Sequence, residues 1–206
     1  MDKTILPIVE TFHSLQGEGA HTGRSAFFIR LGGCSIACPW CDTKHSWPLL
    51  TQSWRSLENI ACEAIAAQKK GAAFIVVTGG EPLHHSLREL CQTLVCSQLP
   101  IHLETSGVDP LTGRFDWITL SPKRHKPPKF EILNICNEVK ITIHERKDLL
   151  LAEAITNITS DLSSPPLLYL QPGWKNSEGY NLAVNFVRAH PNWCLSLQTH
   201  KWLGVR

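Results

Sequence analysis

The chain has 206 residues, 43% hydrophobic and 18% charged, with eight cysteines and a formal net charge of +2. That length suits one domain, 1–206, with a sizeable core, so the cysteines are not the staples of a small secreted scaffold. No apolar run approaches the ~18 residues of a membrane span, and Asp2 and Pro7 stand where a signal peptide needs an apolar stretch. The expectation is a cytoplasmic protein with reduced thiols, with neither a membrane nor nucleic acid as partner.

The first predicted strand, over 8–13, alternates weakly and runs into Ser14, Leu15, Gln16, Gly17, Glu18 and Gly19, a polar loop with two glycines. A buried strand over 26–31 follows, interrupted only by Arg30, whose charge requires an anionic partner, either a structural carboxylate or a ligand. Next come Cys34, Cys38 and Cys41, three thiols within eight residues. Ser53, Trp54, Arg55 and Ser56 read as the opening of a helix whose apolar positions Leu57, Ile60, Ala61, Ala64 and Ile65 repeat at helical spacing until Gly71.

A β-branched strand over 74–78 ends in Gly79, Gly80, Glu81 and Pro82, and a helix carrying Leu87, Leu90, Cys91, Leu94 and Val95 follows. The strand over 101–105 ends at Glu104, Thr105 and Ser106. The stretch 108–137 shows a strand over 117–120 and a basic run, 123–129, that reads as a solvated loop, with no helical period. Strands over 139–143, 167–170 and 193–197 then alternate with helices over 145–158 and 178–190. Cys62, Cys91, Cys96, Cys136 and Cys194 read as small buried hydrophobes.

Alternating strand and helix predict an α/β fold, an incomplete, shortened (β/α) barrel of about six mostly parallel strands. In such folds the site lies at the C-terminal ends of the strands, where each polar motif falls. Three thiolates can hold a [4Fe–4S] cluster and leave one iron open for a chelating ligand. A closed zinc site of Cys34, Cys38, Cys41 and His45 is the alternative that spacing leaves open.

The pairing of Cys34, Cys38 and Cys41 with Gly79, Gly80, Glu81 and Pro82 resembles the radical S-adenosylmethionine superfamily. There, S-adenosylmethionine chelates the open iron and is cleaved by one electron to a 5′-deoxyadenosyl radical, which abstracts a substrate hydrogen. Further motifs narrow the resemblance to the 7-carboxy-7-deazaguanine synthase family. They are Leu15 to Gly19, Arg30, Asp42 and Thr43, Thr78, Glu104 to Gly107, Ser121 to Lys123, Gln171 with Pro172, and Gln198 to Lys201. That family contracts 6-carboxy-5,6,7,8-tetrahydropterin to 7-carboxy-7-deazaguanine with loss of ammonia, on the route to queuosine. Its members are homodimers served by an electron donor such as flavodoxin or ferredoxin. Another radical S-adenosylmethionine enzyme, or a zinc or nucleic-acid module using the basic loop, are the rival readings.

The resemblance implies the roles residue by residue. Cys34, Cys38 and Cys41 ligate the cluster, and Thr43 ligates a Mg²⁺ ion; a turn cap is the plain alternative for Thr43. Trp40, Cys41, Asp42, Gly79, Gly80, Glu81, Ser106, Ser121, Pro122, Lys123 and Gln171 surround S-adenosylmethionine. Leu15, Gln16, Gly17, Glu18, Arg30, Thr78, His200 and the carboxylate of Arg206 contact the substrate. No side chain is assigned as acid or base.

Overall fold

The computed structural model describes residues 4–49 and 53–206. Among the described residues nine strands form one sheet in the order β3-β1-β2-β4-β5-β6-β7-β8-β9. They are β1 (Ile5–Leu15), β2 (Ser25–Leu31), β3 (Ser53–Ser56), β4 (Phe74–Gly79), β5 (Ile101–Thr105), β6 (Trp117–Leu120), β7 (Glu138–Ile143), β8 (Leu167–Pro172) and β9 (Trp193–Leu195). The run from β2 to β9 is parallel, while β1 and β3 pair antiparallel at one edge. Among the described residues β3 and β9 do not pair with each other, so the sheet stays open. It is wider than the expected six strands, because a hairpin edge and a short last strand extend the parallel core.

Helices α1 (Leu57–Lys69), α2 (Arg88–Leu94), α3 (Phe130–Ile135), α4 (Asp148–Thr159), α5 (Ser177–Ala189) and α6 (Thr199–Leu203) join the strands. The expected helix start at Ser53 is a strand instead. Ile5 pairs with Ser56 and Ile8 with Ser53, because β1 is eleven residues long and offers a free edge. The helix begins one residue later, where the Ser56 hydroxyl accepts from the Asn59 amide at 3.3 Å. The stretch 108–137 contains α3, six residues that bury Ile132 and Leu133. A helix of that length is too short to show a period.

The period-2 alternation of the strands divides the side chains by face. Ile29, Leu31, Ile75, Val77, Leu103 and Ile141 pack in the main core with residues of α1, α2, α4 and α5. Ala26, Phe28, Phe74 and Val76 form a smaller cluster with Phe12 on the other face. Continuing along that second face, apolar residues give way to Arg30, Thr78, Glu104, Thr119 and Lys140. Register places Arg30 beside Thr78, Glu104 beside Thr119, and Thr119 beside Glu138. A band of polar side chains therefore crosses the sheet toward its C-terminal edge.

Three of the five cysteine expectations change. Cys91 and Cys136 are buried, but Cys62, Cys96 and Cys194 are exposed, since they occupy the solvent side of their elements. No helix among the described residues is long and apolar enough to cross a membrane.

Candidate active site

The polar band faces a cavity of about 750 Å³. Every residue singled out above for cluster, cofactor, metal or substrate lines it, except Pro122, which is buried beside it between two lining residues. His45 is exposed and lies outside the lining.

The cysteine loop is held by its own backbone. Gly33 N donates to Ser46 O at 2.8 Å, Cys34 N to Trp47 O at 3.1 Å, and the Ser46 hydroxyl to Thr43 O at 2.7 Å. Ser46 is fully buried, so this closure is shielded from water. Ala37 takes a left-handed conformation (φ +53°), which bends the chain between Cys34 and Cys38. The basic run is more than a solvated loop. His125 Nε2 reaches Ile36 O at 3.0 Å and Lys126 Nζ reaches Ser35 O at 2.6 Å, so two of its side chains clasp the cysteine loop.

Burial pushes the Cys38 thiol up, and the nearby Lys123 ammonium opposes that shift. Lys123 itself is pulled down by burial, with Cys38 opposing, and its Nζ donates to Ser121 Oγ at 2.6 Å. Among the described residues no three His, Cys, Asp or Glu side chains converge as they would around one metal ion. A cube of four irons asks for something else, one thiolate for each of three separate irons, and three thiols on one cavity wall fit that demand. The Thr43 hydroxyl makes no cap bond to the turn that follows it and stands 3.5 Å from Cys41 Sγ.

The resemblance places Gly79 and Gly80 beside S-adenosylmethionine, and both line the cavity. Their immediate neighbours are the protein's own chain. A Cβ on Gly79 (φ +135°) would overlap the Leu31 backbone, and one on Gly80 would overlap the Gly33 carbonyl. The gain is a tight seam, with Gly80 N bonded to Leu31 O and Glu81 N to Gly33 O, both at 2.9 Å. This seam joins the end of β4 to the start of the cysteine loop. Glu81, 1% exposed, then fastens β4 to β5. It accepts from Leu83 N at 3.1 Å, Thr105 Oγ1 at 2.5 Å, Ser106 N at 2.8 Å and Ser106 Oγ at 2.5 Å.

At the other end, the loop after β1 is clamped by α6. Thr199 N and Oγ1 both donate to Gly17 O, at 2.9 and 3.0 Å, and the His200 ring fills the space a Gly17 side chain would need. Burial pulls His200 down, while Glu18 pulls it up. Lys201 bonds Asp42 at 2.5 Å, tying α6 to the cysteine loop as well. Arg30 finds a structural carboxylate: its Nε donates to Glu10 at 2.8 Å, and Arg206 bonds the other oxygen of Glu10. The main-chain oxygen of Arg206 accepts from the Ser14 hydroxyl at 2.7 Å. Gln171, buried, accepts from Ser196 Oγ at 3.0 Å, and Ser196 in turn accepts from Gly19 N.

Trp40 lies 5.0 Å from the His144 ring, centroid to centroid, and both line the cavity. Sequence reasoning passed over His144 and Lys140, and gave Glu104 no role although it opens a motif. Lys140 carried the same signal as Arg30, a cation inside an apolar strand.

Comparison with known proteins agrees with this geometry. Residues 28–159 match the Radical SAM superfamily model. The chain is 54% identical to 7-carboxy-7-deazaguanine synthase of Prochlorococcus marinus, over 98% of this chain and 99% of that one. It is 35% identical to the enzyme of that name from Escherichia coli, over 97% and 98%. The crystal structure of QueE from Escherichia coli superposes with a TM-score of 0.79 at 33% identity, covering 94% of this chain and 93% of that one. A three-thiol loop against a Gly-Gly-Glu seam, with relatives aligned from end to end, establishes that the chain belongs to the 7-carboxy-7-deazaguanine synthase family of the radical S-adenosylmethionine superfamily.

Proposed function

We propose that this protein converts 6-carboxy-5,6,7,8-tetrahydropterin to 7-carboxy-7-deazaguanine with loss of ammonia. One observation carries the reading: the cysteine loop, the Gly79–Gly80 seam and the clamped loop of Gln16 to Glu18 open on the same cavity. Cofactor cleavage and substrate binding can then occur within one enclosure. Cys34, Cys38 and Cys41 would hold a [4Fe–4S] cluster, which supplies the electron that cleaves S-adenosylmethionine into a hydrogen-abstracting carbon radical.

The chain's own residues bind and orient. Gly80 and the carbonyls of the seam offer acceptors to an amino group, while Ser106, whose hydroxyl proton is given to Glu81, keeps lone pairs free for a donor. Trp40 supplies a flat apolar wall for a base. Ser121, Lys123 and Gln171 supply polar contacts from the adjoining strands. Gln16, Glu18 and Thr78 present polar atoms suited to the rim of a flat heterocycle. Arg30, already paired with Glu10, has further guanidinium donors for a carboxylate. His200, held near neutrality by burial, adds a ring nitrogen at the clamp.

Thr43 fits a Mg²⁺ ligand, because a neutral hydroxyl free of capping duty suits a hard cation that keeps other positions for substrate and water. Thr43→Ala is expected to raise the Mg²⁺ concentration for half-maximal turnover by about tenfold or more, with S-adenosylmethionine affinity unchanged. An unaltered Mg²⁺ titration would remove Thr43 from the metal site. In this reading the protein works in the cytoplasm as a homodimer of single-domain chains, reduced by a small carrier such as flavodoxin or ferredoxin.

The test of the reaction is direct. Anaerobic, reduced protein is incubated with S-adenosylmethionine, Mg²⁺ and carboxytetrahydropterin, and the mixture is analysed for 7-carboxy-7-deazaguanine. Cleavage of S-adenosylmethionine without that product would overturn the substrate and leave the superfamily chemistry standing.

A further inference from the structure

Lys140 is 4% exposed, on β7, in the middle of the polar band. Its Nζ lies 2.5 Å from Glu18 Oε2 and 3.8 Å from Glu104 Oε1. Both carboxylates line the cavity, and each has neutral donors as well. Gln198 Nε2 donates to Glu18 Oε1 at 2.9 Å. Gln16 Nε2 donates to Glu104 Oε1 at 3.0 Å, and Thr78 Oγ1 to Glu104 Oε2 at 3.3 Å. These partners come from the loop after β1, from β4, β5 and the segment before α6, so the lysine is the hub of four separate pieces of chain.

Burial opposes the charge of Glu18, Lys140 and Glu138. It pushes Glu18 up, and the charge and hydrogen bond of Lys140, helped by Gln198 and His200, more than reverse this and bring Glu18 to about 2. Burial likewise pulls Lys140 down, and Glu104, Glu18 and Glu138 together raise it. Glu138, two residues away on the same face, is itself pushed up by burial and is occupied by Ala20 N and Thr119 Oγ1. Lys123 is a second buried cation close enough to feel Lys140 and Glu18. Without the ammonium, burial would prevail at Glu18. A carboxyl that gains a proton becomes a donor where the cavity now presents an acceptor.

We infer that Lys140 is a positioning residue that fixes the carboxylates of Glu18 and Glu104, so that the pair presents acceptors to the N–H edge of an aminopyrimidinone ring. The inference rests on the pterin-type substrate proposed above. A ring of that class offers adjacent N–H donors in one plane, and two carboxyl groups lining the cavity match them as acceptors. The lysine acts through the two glutamates.

The experiment compares Lys140→Met with Lys140→Arg, using protein with its iron restored. Three quantities are read: the dissociation constant for carboxytetrahydropterin as a function of pH, the affinity for S-adenosylmethionine, and the infrared carbonyl band of a protonated carboxylic acid without substrate. Lys140→Met is expected to weaken pterin binding by about thirtyfold at neutral pH. The sign follows from Glu18. Its ionisation range is raised once the ammonium is gone, so affinity is lost as pH falls through that range and partly returns as pH rises. The acid band should appear in Lys140→Met near neutral pH and be absent from the wild type. Lys140→Arg should recover binding to within about fivefold, with no acid band.

S-adenosylmethionine affinity and iron content should stay constant in both variants. Pterin affinity within twofold of wild type in Lys140→Met, at every pH, would overturn the inference. So would equal losses in the two variants together with loss of iron, which describe a merely structural lysine. The double variant Lys140→Met/Glu104→Gln leaves one carboxylate uncompensated instead of two and guards against a fold that fails. If the wild type binds S-adenosylmethionine but no pterin, while Lys140→Met still gains the acid band, the substrate falls and the lysine's hold on the glutamates stands.

Discussion

Cys38→Ser is expected to reduce product formation to background and to leave the iron content well below about four per chain. Cys38 is the most buried of the three thiols, with Lys123 beside it. A serine in its place is smaller and keeps a polar atom, so the fold should hold to within about 1 kcal/mol. The loss falls on ligation, because a hydroxyl is a hard, weakly acidic donor where iron–sulfur clusters require a thiolate. Iron and acid-labile sulfide on anaerobically prepared protein, with the thermal midpoint as control, make the check. Cys62→Ser, Cys96→Ser and Cys194→Ser should leave iron and turnover unchanged, since all three are exposed and away from the cavity. Retention of full iron by Cys38→Ser would remove that thiol from the cluster.

The second large effect is expected at Glu81. Its four donors come from Leu83, Thr105 and Ser106, and all reach a carboxylate that is almost fully buried. In Glu81→Gln one oxygen becomes an NH₂ group. That group faces an N–H or O–H whichever way the amide is turned, so at least one buried bond becomes a donor–donor contact. The cost is about 3 kcal/mol, a fall of about 6–12 °C in Tm for a chain of this length. Function should suffer beyond stability. Glu81 fastens the seam of Gly79 and Gly80 to β5, so its loosening shifts the cavity wall that the proposed cofactor rests on. S-adenosylmethionine affinity measured well below the new Tm separates the two effects. Unchanged affinity would confine Glu81 to stability.

The motifs at the strand ends were legible because they are local. Three thiols at short spacing, Gly79 and Gly80 after a β-branched strand, and Ser121 to Lys123 after another need no partner to be recognised. The strand over 101–105 was legible for the same reason, a short apolar run bounded by turn residues. Ser53 to Ser56 misled because their local chemistry suits a helix start. Their conformation is instead set by the free edge of β1, some fifty residues earlier in the chain. Lys140, and the role of Glu104, were missed from the opposite cause. Each sits inside a strand that reads correctly, and nothing local tells which side chains stand opposite it.

The sequence by itself determined the order of strands and helices apart from β3, α3 and α6, the thiol loop and the polar turns, since hydrophobic period and turn chemistry act over a few residues. The tertiary structure alone decided what those turns share. Parallel pairing aligned Arg30 with Thr78 and Glu104 with Thr119, and α6 returned from the far end of the chain to clamp Gly17. It also brought Lys140 to Glu18, 122 residues apart. Such meetings depend on register between distant strands, which the packing of the whole sheet selects and no single stretch of chain encodes.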